Sequence, residues 1–258
     1  MIELNKIYCG ECLDIMKDID DNIIDLTVTS PPYDNLRSYN GYIFNFENIA
    51  SELYRITKKG GIVVWIVGDK VLNRNESGTS FKQALFFKSI GFSMQTMIYQ
   101  KSNLRYPSNG VYNRNFEYMF IFINGNKPKT FNQIKDKLNK QYGRISSSGS
   151  TRRKYNGELV RCKNIYEIPK YSKRGNIWEY TTGLGHTTKD MYAYKHPAMF
   201  PEKLVYDHII SWSNKGDLIF DPMCGAGTTC KIAKQLNRNF IGIDISQEYC
   251  EIANRRTK

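Results

Sequence analysis

Asp217-Leu218-Ile219-Phe220-Asp221-Pro222-Met223-Cys224-Gly225-Ala226-Gly227-Thr228-Thr229, followed by a helical stretch over 231–236 and then Phe240-Ile241-Gly242-Ile243-Asp244, decides the fold. An apolar run ends in an acid. A glycine-rich turn follows, then a helix, then a second apolar run that also ends in an acid. This is the order in which an α/β unit holds an adenosine: glycines let the backbone approach the ligand, and the acid at the tip of the second strand accepts from the ribose hydroxyls. Gly225 and Gly227 supply the first part and Asp244 the second. The third glycine of the dinucleotide fingerprint is missing. Asp221, just before the turn, would repel a phosphate and attract an ammonium group. The combination suits S-adenosylmethionine better than a pyrophosphate cofactor.

Working outward, a second stretch carries complementary chemistry. The apolar run at 23–29 reads as a buried strand, and Ser30-Pro31-Pro32-Tyr33 stops it. Two prolines give a stiff corner with nearly fixed φ and no backbone N–H. The Ser30 hydroxyl stands beside a free carbonyl, and the Tyr33 ring follows. Such a corner fits a planar group bearing an amino substituent. Alone, it would be an ordinary proline-rich turn.

The other segments alternate strand and helix. Strands are expected near 5–8, 62–67, 94–100 and 118–123. Helices are expected from residue 12, over 44–57 and over 81–89, and one carries Leu204, Ile209 and Trp212. Lys58-Lys59-Gly60-Gly61 reads as a helix end. This is a layered α/β pattern. It breaks down from Asn124, where bases such as Arg144, Arg152, Arg153 and Lys154 far outnumber acids and Tyr142, Tyr155, Tyr166 and Tyr171 are interleaved. The Ser/Gly run at 146–150 reads as mobile. The net charge of +12 calls for a polyanionic partner, most simply nucleic acid. The three histidines are scattered, and Cys9-Gly10-Glu11-Cys12 has no second pair at zinc-ligand spacing, so no metal is expected. With no leader and no apolar run of bilayer length, the chain reads as cytoplasmic.

Taken together, Ser30–Tyr33, then the basic region, then Asp221–Thr229 resemble the β class of amino-methylating DNA methyltransferases of bacterial restriction–modification systems and phages, in this order along the chain. The resemblance implies a Rossmann-like methyltransferase fold with a mixed, mostly parallel sheet flanked by helices. Residues 1–123 and 190–258 would be its two halves, and 124–189 an inserted target-recognition region. It also implies a cofactor, S-adenosylmethionine, and a substrate, double-stranded DNA. Ser30, Pro31, Pro32 and Tyr33 would be catalytic. Glu11, Cys12, His196, Pro197, Phe200, Asp221, Pro222, Cys224, Gly225, Gly227, Thr228, Thr229, Asp244 and Ile245 would bind cofactor; the family more usually has Asp where Glu11 stands. Arg37, Tyr39, Lys101, Arg144, Arg152, Arg153 and Lys154 would contact DNA. A separate cognate restriction endonuclease, and a monomeric or homodimeric state, are both compatible with it. Ser at the first motif position favours cytosine N4 over adenine N6.

Other readings explain less. A dinucleotide-dependent oxidoreductase accounts for the glycine turn but not for Ser30–Tyr33 or the charge. A non-enzymatic DNA-binding protein accounts for the charge alone. An RNA methyltransferase shares most of the features.

Overall fold

The computed structural model describes residues 2–32, 44–102, 112, 114–146, 151–161 and 166–258. In chain order the main elements are β1 (Lys6–Cys9), α1 (Cys12–Met16), β2 (Ile24–Thr29), α2 (Phe46–Ile56), β3 (Thr57–Val67), α3 (Thr79–Ser89), β4 (Ser93–Lys101), β5 (Phe116–Ile123), β6 (Ile177–Tyr180), α4 (Glu202–Trp212), β7 (Leu218–Asp221), α5 (Thr228–Gln235), β8 (Asn239–Asp244) and α6 (Gln247–Thr257). The eight strands form one sheet in the order β1-β8-β7-β2-β3-β5-β4-β6. All neighbours are parallel except β3–β5 and β5–β4. This is the mixed, mostly parallel sheet that the sequence implies.

Every residue of β2 is buried, as expected of a strand covered on both faces. The alternation of β3 sends Val63, Trp65 and Val67 into a core with α1, α2 and α3. There Phe87 stacks on Phe122 at 4.2 Å and meets Trp65 edge-on at 5.1 Å. The buried Trp65 N–H donates to Gln83 at 2.9 Å, so the indole leaves no orphaned donor. On the other face α4 covers β5 and β6. His208 Nε2 lies 3.2 Å from the Met119 sulfur, and its ring lies 4.7 Å from Trp178.

Three local features differ from the sequence reading. Residues 58–61 do not end a helix; they bulge within β3, because Gly60, at φ +77°, bonds to Asn124 and Lys129 while Thr57 already pairs with Ile24. Residues 177–180, inside the region read as an insert, form the edge strand β6. The terminal helix α6 has no counterpart in the sequence reading, although Ser246 marks its start by accepting from the Tyr249 amide at 3.5 Å.

Residues 133–175 form a second compact unit, narrower than the 124–189 insert. It is a nested antiparallel ribbon: 135–138 pairs with 171–173, 145–146 with 166–167, and 151–153 with 159–161. Its tip turns through Lys154 and Gly157. The serine-rich 147–150 lies outside the described residues.

Candidate active site

β2 leads on to β3 on one side of the sheet, and its neighbour β7 leads to β8 on the other. The chain therefore diverges at the β7–β2 pair, and the crevice beyond the carboxyl ends of such a pair is where open α/β sheets place ligands. A cavity of about 1110 Å³ lies there. Ser30, Pro31 and Pro32 line it, and so do Pro222, Cys224, Gly225 and Thr228 of the glycine turn. The two ends of the chain singled out in the sequence thus share one cavity.

Two hydrogen bonds fix this meeting from behind. Thr29 Oγ1 donates to Asp221 Oδ1 at 2.8 Å, and Thr229 Oγ1 donates to the Val28 carbonyl at 3.0 Å. Both bridges are buried, and both fall immediately beside the Ser30 corner.

The glycine turn is shaped by close approach. Gly225 and Gly227 adopt φ of +50° and +73°. A Cβ on Gly225 would stand 2.6 Å from His196 Nε2, and one on Gly227 would stand 2.6 Å from the Ala253 Cβ. The imidazole of His196 therefore lies directly on the turn, with its other flank 4.5 Å from the Tyr249 ring. Asp244 closes the far side: Oδ2 accepts from the Gly225 amide at 2.8 Å and Oδ1 from the Ser246 amide at 2.9 Å. Burial raises the Asp244 carboxyl above its ordinary range, and those two amides oppose the rise.

Of the expected cofactor residues, Cys12, His196, Pro197, Phe200, Pro222, Cys224, Gly225, Thr228, Asp244 and Ile245 line the cavity. Glu11 instead caps α1, accepting from the Asp14 amide at 3.1 Å. Gly227 and Thr229 stand behind the turn, one starting α5 and the other bonding β2. Asp221 requires a correction. It is 1% exposed and does not line the cavity; its Oδ1 is engaged by Thr29 and by the Met223 amide. Burial raises its carboxyl to about 7. Held by Thr29 of the neighbouring strand and by the Met223 amide, Asp221 stands behind the lining rather than in it.

Lys101 also lines the cavity, 2.6 Å from Glu117. Arg144, Arg152, Arg153 and Lys154 are exposed on the ribbon. Tyr33, Arg37 and Tyr39 lie outside the described residues. The sequence reading missed several lining residues: Tyr99, Glu117, Leu184, Thr187, Tyr194 and Glu248. Only Tyr194 had a legible context, in the Tyr-rich approach to His196.

Cys224 and Cys230 are buried beside each other under the turn, and their mutual hydrogen bond and burial push the Cys224 thiol up. Such a thiol is not a nucleophile. Among the described residues no cluster of His, Cys, Asp or Glu could hold a metal, and no helix is long and apolar enough to cross a membrane.

The donor set fits S-adenosylmethionine. Among the described residues, Lys101 is the one lysine or arginine in the lining, and Glu117 neutralises it, so a pyrophosphate would have no counter-charge. Acids at 244 and 248 and the glycine cradle suit an adenosine with a cationic tail.

Comparison with known proteins agrees. Residues 24–255 match the N6/N4 methyltransferase family, described as DNA methylase. The chain is 53% identical to the orphan methyltransferase M.BamHII of Bacillus amyloliquefaciens over 94% of this chain and 91% of that protein. In fold it is similar to the cytosine-N4-specific PvuII DNA methyltransferase, with a TM-score of 0.69 at 17% identity over 97% of this chain and 85% of the other. It also resembles the M1.HpyAVI–SAM complex, with a TM-score of 0.59 at 20% identity over 98% and 99%. The chain belongs to the N6/N4 DNA methylase family and is an S-adenosylmethionine-dependent DNA amino-methyltransferase.

Proposed function

We propose that this enzyme methylates cytosine N4 in duplex DNA. The observation that carries the reading is the shared cavity, with Ser30 and Pro31 on one wall and Gly225 on another. When bound, S-adenosylmethionine supplies an electrophilic sulfonium methyl. The residues to hold it are Asp244 at the ribose, Gly225 and Cys224 along the turn, and His196, Pro197 and Phe200 at the methionine end.

An exocyclic amine is a poor nucleophile because its lone pair is delocalised into the ring. The Ser30 hydroxyl and the Pro31 carbonyl accept hydrogen bonds from its two N–H groups, favour a tetrahedral nitrogen and free the lone pair. Fixed acceptors do this without reorganisation at the moment of reaction. The Ser30 hydroxyl can also donate to cytosine N3, which a carboxylate in its place would repel. That difference supports cytosine over adenine. The recessed cavity requires the base to leave the duplex, and Tyr33 is the stacking surface for it.

The ribbon at 133–175 is the DNA-contacting element. A two-stranded ribbon is one of the shapes a major groove admits. Arg152 and Arg153 are exposed near its tip, and Tyr155 stands fully out there. Tyr142, Tyr166 and Tyr171 are exposed along its length.

Modified-base sequencing of DNA from cells expressing the protein tests the base assignment. N4-methylcytosine at one recurrent site is expected, and N6-methyladenine in its place would refute it. Ser30→Ala should lower methyl transfer by roughly 10²–10³-fold, the scale for losing one oriented group, while cofactor affinity stays within about twofold. Unchanged turnover would defeat the role given to Ser30.

A further inference from the structure

Behind the glycine turn lies a partly buried cluster of two cations and two anions. The Arg256 side chain, near the end of α6, is 0% exposed. Its Nε donates to Asp190 Oδ2 at 2.8 Å. Nη1 donates to the Ala226 carbonyl at 2.7 Å and to Thr228 Oγ1 at 3.0 Å. Nη2 donates to Glu202 Oε1 at 2.6 Å and to Thr188 Oγ1 at 3.3 Å. All five N–H groups of the guanidinium are thereby used. Lys231 bonds the same two carboxylates, each at 2.7 Å, and balances the charge.

The partners belong to different walls of the cavity. Ala226 and Thr228 are in the glycine turn. Thr188 and Asp190 lie in the segment leading to His196, Pro197 and Phe200, and Glu202 starts α4 just beyond it. The same segment is pinned by the Tyr194 hydroxyl, which donates to the Gly183 carbonyl at 2.9 Å and accepts from the Gly185 amide at 2.8 Å. His196 presses on Gly225 with no room for a Cβ between them.

Stability alone does not account for the cluster, since well-packed apolar residues commonly replace buried ion pairs without loss. An apolar side chain could not, however, hold the Ala226 carbonyl and two carboxylates in one plane, which the arginine fork does. We infer that Arg256 is a positioning residue for methyl transfer: it latches the segment carrying His196 to the glycine turn and so sets the width of the cofactor cleft. The inference rests on the reading of this cavity as the cofactor site.

The test uses the full-length enzyme with Arg256→Lys, which keeps the charge and loses the fork, and Glu202→Gln, which weakens one anchor at a side chain that is 23% exposed. S-adenosylmethionine binding is measured by calorimetry, and the kinetic constants for cofactor and DNA are measured separately. Arg256→Lys should raise the cofactor Kd and KM at least tenfold, with the DNA KM and kcat at saturating cofactor within about twofold. Glu202→Gln should move the cofactor Kd the same way by about threefold or more. A lowered melting temperature with an unchanged cofactor Kd in a folded variant would reduce the cluster to a structural ion pair and overturn the inference. Failure of the unaltered enzyme to bind S-adenosylmethionine would instead remove the site reading beneath it.

Discussion

Replacing Asp221 by Asn should stabilise the protein, by an amount that grows from about pH 4 to about pH 7 and then levels off. Burial lifts the Asp221 carboxyl from an ordinary 3.8 to about 7, while the Thr29 and Thr229 hydroxyls and the Met223 amide hold part of the rise back and the Asp244 charge adds to it. The folded state thus holds this proton more tightly than the unfolded state does. The carboxyl's favourable contribution is complete below the unfolded value of 3.8 and is lost as pH climbs through about 7. Above that, the fold carries an ionised, buried carboxylate. The interval is about 7 minus 3.8, and at about 1.4 kcal/mol per unit it sets a ceiling of about 4 kcal/mol. Asn at this position still accepts from Thr29 and Met223 and carries no charge at any pH. The stability gap between variant and wild type should therefore widen from pH 4.5 to pH 8 by about 2–4 kcal/mol, or about 1–2 M in urea midpoint at an m-value near 2 kcal/mol/M. Tryptophan fluorescence is the probe, because Trp65, Trp178 and Trp212 all lie outside the 133–175 ribbon. Asp244, also raised by burial, is present in both proteins and largely cancels. A gap that stays constant between pH 5 and pH 8 would refute the reasoning.

Thr29→Val should act in the opposite direction. It keeps the shape of a side chain 0% exposed and strips a buried donor from Asp221, at a cost of about 2 kcal/mol, or roughly 4–8 °C in Tm. A melt within about 1 °C of wild type would mean the bridge contributes nothing. Neutralising Arg152, Arg153 and Lys154 together should flatten the log–log salt dependence of DNA affinity by roughly 2.7, or about 0.9 for each phosphate that the protein ceases to neutralise, and leave the cofactor Kd unchanged. An unaltered slope would take the ribbon tip off the DNA.

Both halves of the site were legible in the sequence because each is built from residues that announce their backbone: the prolines after Ser30, the glycines after Asp221 and an acid closing an apolar run at Asp244. The supports behind them were not. Arg256 meets Ala226 and Asp190 across 30 and 66 residues, and no local pattern marks such a pairing. Tyr99 and Glu117 reach the cavity only because β4 ends and β5 begins at the edge of the sheet where β2 ends. Asp221 misled because its neighbours in sequence are those of a ligand contact, whereas its neighbours in space are Thr29 and Met223.

What joins the halves is register, which no motif carries. β7 lies beside β2 with Ile219 opposite Leu26 and Phe220 opposite Thr27, so that Thr29 and Asp221, 192 residues apart, meet at the ends of their strands. Side chains alternate between the faces of a sheet, so a slip of one residue would turn Thr29 away from Asp221 and carry Ser30 to the opposite side of the corner. The bonds from Thr29 to Asp221 and from Thr229 to Val28 are correct in one register only. The bridge from Thr29 to Asp221 therefore reports the alignment of the base pocket with the cofactor turn, and the two substitutions at this bridge probe that alignment from its two sides.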